Sequence, residues 1–152
     1  MAELLVIAVV AGERIAFPSA EIESVVEIGA ITRVPGAAPH VAGLAALRSR
    51  VVTVIDCRAS LEAGTAIVAP RDALVAAHGG HLYALLVERV DDVAEADGDF
   101  APPPPGLPAS WRRVARAQAA AGGELILVAD LAALIAGPEP VLALNQPLTL
   151  CG

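Results

Sequence analysis

GLAALRSRVVTVIDCR, residues 43 to 58, joins a turn-like segment to an apolar strand that closes on an aspartate. The run Val51 to Ile55 is almost entirely β-branched, which predicts a buried strand. Asp56 follows it and is predicted to cap a helical turn over Cys57 to Leu61 by accepting hydrogen bonds from backbone amides. Arg48 precedes the strand and is therefore held on a rigid element. No base, nucleophile or metal-ligand set lies nearby in sequence, so this segment favours recognition over chemistry.

The composition predicts one domain with an aliphatic core. The chain has 152 residues, of which 56% are hydrophobic and only 3% aromatic, so Val, Ile, Leu and Ala must supply the packing. The net charge is -7, and all ten basic side chains are arginines. An acidic chain with few aromatic side chains offers neither a phosphate-tracking surface nor a platform for stacking bases. Nucleic acid is therefore not an expected partner.

The N-terminal apolar run predicts a strand rather than a membrane segment. Leu4 to Ala11 is far shorter than the roughly 20 residues that span a bilayer, and Glu3 precedes it where a signal peptide would carry basic residues. The two cysteines, Cys57 and Cys151, show no spacing typical of a disulfide framework or a zinc site. These features favour the reducing cytoplasm, with no direct membrane insertion and no cofactor.

Short β-branched runs separated by turn residues predict a mostly β fold with few helices. Val41 to Leu47 is interpreted as a turn or short helical turn, Pro102 to Pro105 as part of a proline-rich loop near residues 101–108, and Trp111 to Ala121 as a short helix. The hairpin turn His78 to His81 joins two of the strands. The predicted strands are Leu4 to Val10, Arg14 to Phe17, Ile22 to Ile28, Ile31 to Val34, Val51 to Ile55, Thr65 to Val68, Ala73 to Ala77, Leu82 to Val87 and Leu125 to Val128.

Two sequence signatures occur twice in the same order, which predicts two related lobes. Val54-Ile55-Asp56 is echoed by Val128-Ala129-Asp130. A spacing of six and then three residues relates Ala16, Ile22 and Val25 in the first half to Ala84, Val90 and Val93 in the second. We therefore expect a single domain over residues 1–152 that contains two small barrels sharing one interface.

Few residues of the sequence are candidates for catalysis or metal binding. His78 and His81 flank a Gly-Gly hairpin tip without a further ligand, so a metal site is not favoured. Asp91 and Asp92 lie in an acidic run that is typical of a solvated strand edge, and Asp130, like Asp56, is interpreted as a helix cap. The serines lie in none of the contexts that expose a nucleophile. An enzyme is therefore the less favoured class.

Three residues keep two interpretations. Arg48 is either a surface arginine whose stem packs on the neighbouring lobe or a contact presented to a partner. Ile22 and Val25 lie three residues apart after a proline break, and periodicity allows them to be core residues or an exposed apolar patch.

The segments described above, taken in their order along the chain, resemble the sequence pattern of the CheW family of chemotaxis coupling proteins. The family pattern combines a short strand closing on proline, the motif Gly-x-x-Asn-Leu-Arg-Gly, and an apolar strand ending in Asp, often with Leu-Arg. The matching segments are Ile15 to Phe17, Ile22 to Ile28, Ile31 to Pro35, Gly43 to Ser49, Val51 to Arg58, Leu85 to Val93 and Leu125 to Leu134.

The resemblance implies a non-enzymatic adaptor made of two five-stranded, SH3-like barrels. Such an adaptor couples the cytoplasmic tip of methyl-accepting chemoreceptors to the regulatory domain of a CheA-type histidine kinase, in association with membrane-bound receptor arrays. The positions matching the family's kinase-binding patch are Ile22 and Val25. The hairpin positions Leu44, Leu47 and Arg48 match the region engaged by receptor and kinase.

The chain departs from the family motif at two positions, where Ala46 replaces asparagine and Ser49 replaces glycine. These changes alter the turn that presents Arg48, so a divergent member serving a non-motility pathway, or a competitor that binds the kinase without a receptor, are alternatives. Outside the family, a small-molecule-binding or enzymatic β-barrel with its site between the lobes, and a protein that only oligomerises through its apolar strands, are also considered.

Overall fold

The computed structural model describes residues 3–64 and 71–138. Strands dominate and three short α-helices accompany them, with a 3-10 helix at Ser19–Glu21. The strands are β1 (Leu4–Val10), β2 (Glu13–Pro18), β3 (Ser24–Ile28), β4 (Val41–Leu47), β5 (Arg50–Asp56), β6 (Arg71–His78), β7 (His81–Leu86), β8 (Arg89–Glu95), β9 (Ala115–Ala121) and β10 (Glu124–Ala129). The α-helices are α1 (Cys57–Ser60), α2 (Ala109–Val114) and α3 (Leu131–Ala136).

The strands form two five-stranded sheets, which confirms the predicted fold class. Lobe 1 has the strand order β3-β6-β7-β5-β4, and lobe 2 has the order β8-β1-β2-β10-β9. Lobe 2 therefore combines the first two strands of the chain with the last three. The order of the repeated signatures had suggested that each lobe is one half of the sequence, and this was wrong. The chain leaves lobe 2 after β2 and returns to it at β8.

The two sheets share one arrangement of strands. In each sheet a single parallel pair, β5 with β7 or β10 with β2, lies among antiparallel ones. The repeated sequence signatures lie at corresponding places in these pairs, since Val54 is opposite Ala84 and Val128 is opposite Ala16. An alanine and a valine therefore occupy equivalent positions in the parallel pair of each lobe.

Apolar side chains form three buried clusters. One lies inside each sheet, around Val52 and Val54 in lobe 1 and around Ile7 and Val128 in lobe 2. The largest lies between the lobes and contains Phe17 together with residues of both sheets and all three α-helices. Alternate residues of a strand point to opposite faces of its sheet. One face of each sheet therefore packs against the core of its own lobe, and part of the other face packs against the cluster between the lobes.

The hairpin turn His78 to His81 and both aspartate caps agree with their predictions. The Asp56 carboxylate accepts hydrogen bonds from the backbone amides of Arg58 and Ala59, at 3.0 and 3.2 Å. The Asp130 carboxylate accepts one from the backbone amide of Ala133 at 3.2 Å. Each cap turns the chain from the end of a strand directly into a helix.

Several predicted elements were wrong. Val41–Leu47 is a strand rather than a turn, because pairing with β5 overrides its weak local preference. Ile31 to Val34 contributes only an isolated bridge at Thr32. The strand predicted to begin at Ile22 begins at Ser24. The helix predicted from Trp111 ends at Val114 and gives way to β9.

Two predicted segments remain, a strand at Thr65 to Val68 and a proline-rich loop near residues 101–108. The strand predicted for Thr65 to Val68 lies outside the described residues. Residues 102–105 have no regular secondary structure, and the flanking Ala101 bridges to Gln118 of β9.

Candidate partner-binding surfaces

The turn between β4 and β5 presents Arg48 at its tip. Arg48 and Ser49 both have positive φ, 50° and 71°, which is the conformation of a type I′ hairpin turn. The equivalent turn of lobe 2 uses Gly122 and Gly123, with φ of 58° and 82°. Glycine adopts this conformation without steric cost, whereas serine and arginine do so at a cost of about 1 kcal/mol each. Lobe 1 thus keeps two side chains on a strained turn.

The β4–β5 pairing separates the two leucines that were predicted to act together. Leu44 lies opposite Thr53, and Ala46 lies opposite Val51. These four side chains share one face of the hairpin, which we call the hairpin face. Leu47 points to the other side and packs against the lobe 1 cluster. The structure therefore exposes Leu44 and Arg48 and places Leu47 beneath them.

Val51 was predicted to be buried with the rest of its strand, and this was wrong. Its side chain is 68% exposed, whereas Val52 and Val54 are fully buried. The alternation of the strand explains the difference, because Val51 and Thr53 point away from the lobe 1 core. The polar Thr53 between two valines was the signal in the sequence that Val51 and Thr53 lie on the opposite side of the sheet from Val52 and Val54; Ile55, on the same side as Val51, is buried in the cluster between the lobes.

The second candidate surface lies on β3, which is an edge strand of lobe 1. Val25 is 48% exposed on the side of the sheet that faces the junction with lobe 2. Ile22 precedes the strand, is half-buried and packs against the cluster between the lobes. Of the two interpretations left open by periodicity, exposure therefore applies to Val25 and partial burial to Ile22.

An ion pair brings the two candidate surfaces together. Arg50 Nη2 lies 3.0 Å from Glu23 Oε1. Arg50 is two residues from Arg48, and Glu23 lies between Ile22 and Val25. The Arg48 turn and the Ile22 to Val25 segment therefore adjoin at one end of lobe 1, although about twenty residues separate them in sequence. No local sequence signal identified this contact.

The groove at the junction of the lobes has a volume of about 470 Å³. It is the place where the alternative small-molecule site would lie. Four of its five ionisable lining residues are engaged within the fold: Arg116 Nη1 lies 2.8 Å from Glu21 Oε2, Glu23 pairs with Arg50, and Asp130 caps α3. Arg48 does not line this groove. Contacts within the fold thus use most of the polar groups that such a site would require.

Other chemical features add no site to the described residues. Within residues 3–64 and 71–138, no group of three His, Cys, Asp or Glu side chains could hold a metal ion. Cys57 is fully buried, and burial together with the neighbouring Asp56 charge raises the pKa of its thiol, which opposes formation of a reactive thiolate. No helix in these ranges is long and apolar enough to cross a bilayer.

Comparisons with known proteins agree with this architecture. The fold is similar to the crystal structure of the scaffolding protein TtCheW from Thermoanaerobacter tengcongensis, with a TM-score of 0.74 and 22% identity over 86% of each chain. No curated protein sequence matches the chain. Residues 4–139 match the CheW-like domain. This match covers most of the chain, so the protein belongs to the CheW-like domain family.

Proposed function

We propose that this protein is a non-enzymatic adaptor that couples chemoreceptors to a CheA-type histidine kinase. The observation that carries the proposal is the adjoining position of two exposed surfaces on lobe 1, in a chain of the CheW-like family. Val25, with the half-buried Ile22 beside it, contacts the kinase regulatory domain. Leu44 and Arg48 contact the receptor tip or the kinase, and Leu47 supports them from beneath. Adjoining surfaces let one molecule hold two partners side by side, as a signalling scaffold requires.

The exposure of these surfaces supports contacts that form and break. Val25 and Leu44 are 48% and 37% exposed, and Val25 lies between Glu23 and Glu27 in sequence, whereas Leu44 lies opposite Thr53. Small apolar patches with polar rims are typical of transient signalling interfaces. The adaptor works in the cytoplasm, beside membrane-bound receptor arrays.

The test measures binding of the purified chain to a kinase regulatory domain and to a receptor cytoplasmic fragment by biolayer interferometry. We expect Val25→Ser to weaken kinase binding about tenfold, since it removes an apolar anchor. Leu4→Ser is the matched control, because Leu4 is 46% exposed on lobe 2, and it should leave the affinity unchanged.

The pattern of binding separates the alternatives. Binding to the kinase without the receptor would favour a competitor, and binding to neither at tens of micromolar would refute the adaptor function. Concentration-dependent sedimentation without any heterologous binding would favour a protein that only oligomerises.

A further inference from the structure

The proline-rich segment of lobe 2 takes no part in the proposed adaptor contacts. Residues 101–108 read Ala-Pro-Pro-Pro-Pro-Gly-Leu-Pro. Each proline ring fixes its own φ near -65°, and each residue that precedes a proline is restricted to extended backbone. These two restrictions together favour the polyproline II conformation over Pro102 to Pro105. The structure agrees, since residues 102–105 form neither a helix nor a strand, and Gly106, with φ of 84°, then turns the chain.

The exposure of the four prolines follows the period of this helix. Polyproline II has three residues per turn, so Pro102 and Pro105 share one edge and lie about 9 Å apart. These two prolines are exposed, whereas Pro103 and Pro104 between them are half-buried. One edge of the segment therefore faces solvent while the other two lie against the protein. We call Pro102 and Pro105 the proline edge.

Hydrogen bonds fix the segment at both ends. The backbones of Ala101 and Gln118 exchange two hydrogen bonds of 2.8 Å, and Gln118 Nε2 donates to the Pro102 oxygen at 3.0 Å. At the other end, the backbone amide of Arg112 donates to the Pro108 oxygen at 2.8 Å. The segment is thus ordered before a partner arrives, so little conformational entropy remains to be lost on binding.

We propose that the proline edge is a docking site for a protein domain that reads polyproline II through an aromatic-lined groove. Such grooves recognise prolines spaced three residues apart and exploit the low entropy of a preformed polyproline II helix. An added β-strand is not the occupant, because proline lacks the backbone N–H that a sheet ladder requires.

The aromatic residues of the chain argue that the partner is a different protein and not a second copy. The chain has four of them, one Trp, one Tyr and two Phe. All four pack in or against the buried clusters: Phe17, Tyr83, Phe100 and Trp111. They do not form an aromatic-lined groove on the surface. The proline edge lies on lobe 2 and the adaptor surfaces lie on lobe 1, so this inference goes beyond the adaptor function and does not depend on it.

The test uses two isotope-labelled probes, an SH3 domain and a WW domain, which are unrelated in fold and share an aromatic groove. Each probe is titrated with the unlabelled full chain, and the indole N–H signal of its groove tryptophan is followed by NMR. We expect this signal to shift in at least one probe. The full chain should also bind about threefold more tightly than a free peptide of residues 99–110, because the fold orders the segment in advance.

Variants locate the binding site. Pro102→Ala and Pro105→Ala should each weaken binding about threefold to tenfold, because each removes a ring from the exposed edge. Pro103→Ala is the matched control within the run: it removes the same ring from an inward edge and should cost about twofold at most. Pro39→Ala removes an exposed proline from lobe 1 and should leave the affinity unchanged.

Gln118→Ala tests the anchor without altering a proline. It removes the donor to the Pro102 oxygen, so the affinity of the full chain should fall towards that of the free peptide. Circular dichroism checks that each variant is folded.

Binding of both probes weaker than about 1 mM, or an equal loss from Pro103→Ala and Pro105→Ala, would overturn the inference. A free peptide that binds more tightly than the folded chain would also overturn it, because the fold would then hide the segment rather than present it. These outcomes leave the adaptor function standing, since the kinase and receptor assays probe surfaces of lobe 1.

Discussion

At the level of single residues, burial and backbone hydrogen bonding decide which polar groups belong to the fold. Asp56 is 2% exposed and binds the first amides of α1, so its carboxylate serves the fold rather than a ligand. The adjacent Cys57 is enclosed by the cluster between the lobes. Arg48, in contrast, lies on the surface. The sequence predicted the cap at Asp56 from its place at a strand end, whereas it left the role of Arg48 open between packing and partner contact.

The Cys57 thiol should not react with thiol-specific reagents in the folded protein. Burial and then the Asp56 charge raise the pKa of its thiol, whereas the thiol of the unfolded chain has its ordinary pKa of about 8.5. In a Cys151→Ser background, a thiol-specific reagent at pH 8 should modify Cys57 only after denaturation. The free energy of unfolding should be unaffected by this group below the unfolded pKa and fall as the pH rises above it. Rapid modification of the native protein would contradict the assigned burial.

At the level of elements, the four two-residue hairpin turns within residues 3–64 and 71–138 provide an internal comparison. The second turn residue is Gly12, Gly80 or Gly123 in three of them, with φ of 79°, 82° and 82°. Ser49 occupies the same place in the fourth turn with φ of 71°. The twist of the flanking strands favours this backbone conformation in all four turns. Among these four, the β4–β5 turn alone adopts it without a glycine.

Replacing Ser49 by glycine should relieve this strain. We expect Ser49→Gly to raise the free energy of unfolding by about 0.5 to 1 kcal/mol, because glycine accepts positive φ without a steric penalty. Chemical denaturation measures the change. The control is Ser110→Gly, which lies within α2 and should lower stability. A loss of stability in Ser49→Gly would mean that the serine side chain contributes more than its backbone costs.

At the level of the whole molecule, hydrogen bonds at the end of α3 join the lobes. Arg113 of α2 donates to the backbone oxygens of Ala133, at 2.6 Å, and of Ser60 in α1. Ser60 Oγ donates to the Leu134 oxygen at 2.8 Å, and His40 Nε2 is hydrogen-bonded to the Ile135 oxygen at 2.8 Å. Three successive carbonyls at the C-terminal end of α3 thus accept hydrogen bonds from side chains of three other segments, and the Ala133 oxygen also accepts one from the backbone amide of Gly137 at 3.1 Å.

Removal of Arg113 should therefore destabilise the contact between the lobes. We expect Arg113→Ala to lower the free energy of unfolding by about 2 kcal/mol, since it removes the donor to the Ser60 oxygen and one of the two donors to the Ala133 oxygen at the junction. Arg112→Ala is the matched control: this neighbouring side chain is exposed and makes one 3.3 Å hydrogen bond to the Leu107 oxygen. Its effect should stay within about 0.5 kcal/mol. Thermal unfolding followed by circular dichroism compares the two, and equal effects would show that Arg113 does not hold the junction.

The sequence by itself determined the fold class, both helix caps, most strands and the family, because β-branched runs, strand-end aspartates and turn glycines act through neighbouring residues. It did not place β4, whose alanines and glycine become a strand only by pairing with β5. Nor did it reveal the exposure of Val51, the return of the chain to lobe 2, or the Arg50–Glu23 ion pair that brings the two candidate surfaces together. These features depend on contacts between residues that are distant in sequence, so only the tertiary structure decided them.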